Sequence, residues 1–241
     1  MRTITLFKLP GIYELPSLSP FSVKVETYLK MCGANYTSEL VHNPAASPRK
    51  RLPYIKMKSS DGESTISDSH FILNELEKNY NLDSFLSQEQ KDHAMLLRRI
   101  LDQDFIRYIL YSRWIDPNGW NVLKNDFKQF FPKYLALPIL LLIRKKQIKN
   151  ARGFSLHEYN QAEIYNMGLE LLQCFERQVS IASPYLFGTQ PSTADATLYA
   201  FISCIHKTPI KNPLRDYILT SAPLLKFCRH IESTFFRISQ L

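Results

Sequence analysis

Cysteine is sparse in this chain, and its spacing excludes more than its number does. The four thiols are Cys32, Cys174, Cys204 and Cys228. None forms a CxxC pair or stands beside paired histidines. That argues against a structural zinc site and against the disulfide framework of a small secreted domain. The expectation is buried, reduced thiols. Long apolar runs are also missing. The stretch Leu135–Ile143 contains Pro138 and falls well short of the roughly 20 residues that span a bilayer. Met1–Lys8 alternates, and Lys8 and Pro10 break any apolar leader segment, so no signal peptide is expected. No internal repeat, low-complexity tract, zinc-finger spacing or RNA-binding signature is present.

What is there is an ordinary globular composition. The 241 residues are 45% apolar and 22% charged, enough for one large domain or two small ones. The formal net charge is +8. The excess gathers in Arg49-Lys50-Arg51, in Arg98-Arg99, and in Arg144, Lys145, Lys146, Lys149 and Arg152. A solvated basic face is the expectation, and no nucleic-acid partner is expected. Leu135–Ile143 reads as a buried helix. Its alternative is an interfacial segment with a basic rim, which would give peripheral membrane contact.

The periodicity divides the chain. Thr3–Lys8 alternates as a strand. Ser19-Pro20 opens a helix with Phe21, Val25, Tyr28 and Leu29 on one face, and Gly33 stops it. Tyr36–Val41 and Leu52–Met57 read as strands joined by a loop over His42–Arg51. Asp61-Gly62 is a hairpin turn leading into the strand Ser64–Ser67. Asp68 and Ser69 then begin a helix to about Tyr80, with Phe71, Ile72, Leu76 and Tyr80 inward. This β-α-β, then β-β-α, order is an α/β arrangement of the thioredoxin type over residues 1–82.

Residues 83–241 carry no strand signal of comparable strength and read as all-α. Ser87–Gln90 is a capping box opening a long helix to about Ile115. Further helices fit Asn121–Leu135, Pro138–Lys149, Ser155 to about Ile181 (capped through Ser155 and Glu158), Thr193–His206 and Ala222–Phe236.

Three places could carry chemistry. Ser19 stands at a helix N-terminus, where free N–H groups and the dipole favour an anion, and its hydroxyl could donate to a bound thiolate. Its simpler role is a cap. Pro53 enters a strand after Leu52. If that peptide is cis, the Leu52 main chain could pair with an extended peptide. Asp68 and Ser69 open a helix and suit an α-amino group and an α-carboxylate, or serve as caps. Phe105, Tyr108, Tyr111, Trp114 and Trp120 recur at helical spacing, as a core stripe or as the lining of an interdomain pocket.

The runs Ser19–Leu29, Arg51–Ile55, Ile66–Ser69, Tyr111–Pro117 and Leu186–Thr197, taken in this order, resemble the glutathione transferase superfamily over essentially the full length. The N-terminal half is most similar to the failed-axon and metaxin-like branch and to bacterial transferase-like proteins. The resemblance implies a thioredoxin-like domain followed by a helical bundle. It implies glutathione as co-substrate, with Ser19 at the sulfur, Pro53 cis, Leu52 on the cysteinyl backbone, and Asp68 and Ser69 at the γ-glutamyl end. Ser192 and Asp195 match a structural helix cap. Ser22 in place of a second cysteine argues against dithiol chemistry. Arg49, Lys50 and Arg51 are the candidates for the glycine carboxylate. The implied activity is transfer of the thiolate to a small electrophile by a cytoplasmic homodimer. The alternative, carried by the same branch, is a non-catalytic interaction protein with roles in import or development.

Overall fold

A computed structural model describes residues 3–41, 47–59, 62–179 and 183–236. The first strand, β1 (Thr3–Lys8), turns Ile4, Leu6 and Lys8 inward. The buried Lys8 ammonium is paired with Glu26 of helix α1 (Pro20–Met31), and Glu26 also accepts from the Tyr36 hydroxyl at 3.1 Å. Gly33, at φ +60°, ends α1. Its N–H reaches the Lys30 carbonyl and that of Ala34 the Leu29 carbonyl, so the last turn is closed internally. Strand β2 (Tyr36–Leu40) pairs parallel with β1.

Strand β3 (Tyr54–Ser59) runs antiparallel to β1, and β4 (Gly62–Ser67) antiparallel to β3, giving the order β2-β1-β3-β4. A hairpin joins β3 and β4 as expected, but Gly62 pairs with Ser59 and opens β4 rather than sitting in the turn expected at Asp61-Gly62. Asp61 of that turn, and residues 42–46 of the expected loop, lie outside the described residues. Helix α2 (Ser69–Tyr80) packs on the sheet through Ile72, Leu73 and Leu76. Phe71 does not point inward as expected. It is 47% exposed, with the Arg49 guanidinium 4.8 Å above its ring.

The rest is helical. The long helix appears as α3 (Gln88–Arg99), a π-turn (Ile100–Phe105), α4 (Ile106–Leu110) and a second π-turn (Tyr111–Ile115). The Ser87–Gln90 capping box is present. Next come α5 (Pro117–Phe127), α6 (Ala136–Arg152), α7 (Gln161–Gln178), α8 (Thr193–His206), α9 (Pro213–Thr220), α10 (Ala222–Ile231) and a last π-turn to Phe236. Helix α5 starts four residues before the expected Asn121, because Asp116 caps it by accepting from the Asn118 N–H. It ends short of Leu135, with Pro132 interrupting before α6. Helix α9 was not expected. Asn212 caps it and Pro213 takes the first helical position, a signal too short to stand out by periodicity.

Ser155 is not a cap. It is left-handed at φ 55°, and a short turn separates it from α7. Asn160 and Glu163 form the reciprocal box instead, at 3.0 and 2.8 Å. The expected end of that helix, Ile181, lies outside the described residues. Cys204 and Cys228 are buried and Cys32 partly so, but Cys174 is exposed, contrary to expectation.

Helix α8 is the centre of the molecule. Every residue from Thr193 to Ile205 is buried, and it packs along α1. Its start is tied to the segment joining the two parts: Asp83 accepts from the Thr193 N–H at 2.8 Å and hydroxyl at 2.6 Å. Ser192 and Asp195 form the cap, and Asp195 also accepts from the Leu186 N–H. Burial outweighs these three donors and pushes the Asp195 carboxyl from its ordinary 3.8 up to about 6. The folded state therefore holds this proton more tightly than the unfolded chain. The group's contribution to stability is fully present below about pH 4 and declines as pH rises to about 6, by up to about 3 kcal/mol. Urea unfolding at stepped pH should show this downward slope in the wild type, and Asp195→Asn should remove it.

Candidate functional site

The pairing register places the candidate residues at one end of the sheet. Phe7, near the end of β1, faces Tyr54 at the start of β3, and Tyr54 faces Ser67 at the end of β4. The parallel β1-α1-β2 connection returns α1 so that its N-terminus lies at this same end. Ser19, Leu52-Pro53 and Asp68-Ser69 converge there.

Ser19 occupies the N-cap position of α1, yet its hydroxyl makes no cap hydrogen bond. The carbonyl of Ser19 accepts from Ser22 and Val23, and its N–H faces the Ser17 hydroxyl at 3.4 Å. The half-buried side chain is thus free for a ligand at the positive end of a helix. The Ser22 hydroxyl, one turn on, is buried without a partner.

The Leu52-Pro53 peptide is cis. Leu52 is half-buried, and its main chain pairs with no neighbour among the described residues. The Pro53 carbonyl accepts from the Asp68 N–H at 3.3 Å. Asp68 has φ 81°, a left-handed backbone that a non-glycine residue adopts only when its surroundings hold it there. Its carboxylate caps α2 by accepting from the His70 N–H at 2.9 Å. Ser69 is buried in the first turn, and the Ser67 hydroxyl beside it is buried with no partner.

Cations lie near this end of α2, a placement the sequence reading did not foresee. Lys24 of α1 is fully buried, and its ammonium donates to both oxygens of Asp102, each at 2.8 Å. Asp102 lies in the first π-turn, so the pair joins the sheet domain to the helical part. Burial lowers the Lys24 pKa, and Asp102 and Asp68 oppose that. Burial and the charges of Arg99, Arg98 and Lys24 lower the His70 pKa, and Asp68 opposes them. The Nε of Arg98 is buried without a partner. The available signal was Lys24 itself, a lysine on the α1 stripe four residues before Tyr28.

Of the two readings of the aromatic stripe, the core one holds. Phe105 and Tyr108 are at most 1% exposed, and Phe105 meets Phe175 edge-on at 5.2 Å. Trp114 and Trp120 pack together at 6.2 Å in a second cluster with Leu123, Leu140 and Ile210. Tyr111 is half-buried against Tyr165. A cleft of about 670 Å³ opens elsewhere, among Glu14, Tyr199, Lys207, Arg229 and Phe236.

Arg113 holds the site in place from the helical side. It is buried and donates to the Leu18 carbonyl at 2.8 Å and to the Cys204 carbonyl at 2.7 Å, bridging the residue before Ser19 to α8. Arg113→Met leaves the Leu18 carbonyl without its donor, while the Cys204 carbonyl keeps the Thr208 hydroxyl at 2.7 Å, and should cost roughly 1–3 kcal/mol in urea unfolding. Arg113→Lys keeps the charge without the fork and should fall between.

The sequence matches the family model of the glutathione S-transferase N-terminal domain over residues 20–119 and that of the C-terminal domain over residues 181–231. The Drosophila melanogaster protein Failed axon connections is 30% identical over 239 residues, 92% of this chain and 55% of that protein, so the chain spans about half its length. Metaxin-3 of Xenopus laevis is 25% identical across 93% of this chain and 74% of that one. An isoprene-epoxide–glutathione S-transferase of Rhodococcus sp. (strain AD45) is 24% identical across 96% and 99%. Among solved structures, glutathione transferase GSTFuA3 from Phanerochaete chrysosporium aligns with a TM-score of 0.64 at 14% identity, covering 99% of both chains. The two family models in their order, and a thioredoxin-like domain joined to a helical one, make the chain a member of the glutathione S-transferase superfamily.

Proposed function

We propose that this end of the sheet binds glutathione and that the protein transfers its thiolate to a small electrophile. The observation that carries the reading is the unengaged Ser19 hydroxyl at the N-terminus of α1, at the same end of the sheet as an unpaired Leu52 main chain and the first turn of α2. In this reading the Ser19 hydroxyl and the helix dipole stabilise the sulfur as thiolate. The Leu52 main chain takes the cysteinyl backbone. Asp68 takes the α-amino group, and Ser69 with the α2 N–H groups takes the α-carboxylate, beside the cations of Lys24, Arg98 and Arg99. The sulfur lone pair forms a bond to an electrophilic carbon, whose leaving group or opened-ring oxygen takes the displaced electrons. The protein supplies orientation and charge stabilisation. The proposal includes a boundary at 82/83, a homodimer and a cytoplasmic location.

A second reading is an interaction protein on the same fold, without turnover. It is favoured by the packing of the aromatic stripe into the core, and by the higher identity to Failed axon connections and metaxin-3 than to the epoxide transferase.

Titration calorimetry at millimolar glutathione separates the steps. The wild type should bind. Asp68→Asn keeps the cap and tolerates the left-handed backbone but loses the charge, and should bind about tenfold more weakly. Ser19→Ala should bind within about threefold of wild type and lose roughly a hundredfold in turnover with a model electrophile. No heat from the wild type refutes the glutathione reading. Binding without turnover for any electrophile favours the second.

A further inference from the structure

Helix α6 has two faces. Ala136, Leu140 and Ala151 are buried, and Arg144 is drawn into the packing, with its Nε on the Trp114 carbonyl at 2.9 Å and its guanidinium over Trp120. The other face is open. Leu135, Leu137, Leu141 and Leu142 are 44–68% exposed, and Tyr134 just before them is 90% exposed. Isolated exposed leucines are ordinary, but four on one face of a single helix with a tyrosine at its edge form a patch. The expectation of a buried helix therefore fails on this side.

Charge completes the pattern. Residues 127–157 contain Lys128, Lys133, Arg144, Lys145, Lys146, Lys149 and Arg152 and no Asp or Glu. This one segment carries +7 of the chain's net +8, leaving about +1 for all the rest. Lys133 precedes the apolar row, and Lys145, Lys146 and Lys149 follow it on the exposed surface. These exposed cations are all lysines, compact charges on flexible stems that need no matched fork of acceptors.

We propose that this face of α6 docks on the surface of an anionic lipid bilayer, the leucines entering the headgroup boundary and the lysines lying among lipid phosphates and carboxylates. Charge complementarity selects the occupant. An acid-free segment with an apolar row and point charges at both ends suits a continuous apolar and anionic plane, without the fixed acceptors a protein partner would present. The helix lies in the surface and does not cross it, since among the described residues no helix is long and apolar enough to span a membrane. The site at the sheet end shares no residue with this face.

Vesicle flotation of the full chain tests this. The wild type should float with vesicles containing about a third phosphatidylserine, not with phosphatidylcholine alone, and should be released by salt. Lys145→Glu/Lys146→Glu/Lys149→Glu should reduce the bound fraction about a hundredfold. Leu141→Ser/Leu142→Ser should reduce it at least about tenfold. Both variants alter exposed side chains and should melt like the wild type. Lys91→Glu, on α3, should float normally. Failure of the wild type to float, or flotation that survives either multiple variant, overturns the proposal. So does salt-sensitive capture by an acidic protein or nucleic acid in place of vesicles.

Discussion

A lysine ammonium with essentially no access to water must meet a carboxylate, and in this chain the carboxylate belongs to the other half of the molecule. Lys24 lies inside α1, whose opposite side packs on the sheet, and its ammonium donates to both carboxylate oxygens of Asp102 in the long helix. An isolated charge left in a low-dielectric interior would be costly. The sheet domain therefore cannot bury that face of α1 without the π-turn that carries Asp102. The same contact ties α1, with Ser19 at its start, to the helical part.

Two other bridges share the constraint. Arg113 ties the Leu18 carbonyl to the end of α8, and Asp83 ties the junction to its beginning. Helix α8 is thereby held at both ends by groups from outside it, while α1 runs along its length. The candidate site is built from backbone ends that these bridges orient: the N-termini of α1 and α2 and the chain entering β3. That is economical for binding a peptide-like anion, because main-chain groups and helix dipoles do most of the recognition. The aromatic residues nearest in sequence to Arg113 pack in or against the core.

Much of the fold was legible in the sequence because it rests on local rules. Alternation gave the strands, Gly33 and Pro20 bounded α1, and the boxes at Ser87 and Ser192 marked helix starts. The errors came where two local signals competed or where tertiary contact decided. Ser155 and Asn160 both head box-like patterns, and the extended Tyr159 between them makes the second the true start. Phe71 sits beside Ile72 on a helical wheel, and which of them turns inward depends on the sheet below. Of the site, Ser19, Leu52, Pro53, Asp68 and Ser69 were found from cap and strand-entry chemistry plus resemblance. Lys24, Asp102, Arg98 and Arg113 were not, because their roles are long-range pairings that no spacing records. A charged residue on an apolar stripe, such as Lys24, is the one trace such pairings leave.

A double-mutant cycle on Lys24 and Asp102, read by urea unfolding, tests most directly whether this pair joins the two halves. Lys24→Met and Asp102→Leu should each cost roughly 3–5 kcal/mol, because each strands the other charge. The double variant should cost no more than either single one, a coupling of at least about 3 kcal/mol. Costs that simply add, within about 0.5 kcal/mol, would show the two charges to be independent and would contradict the account.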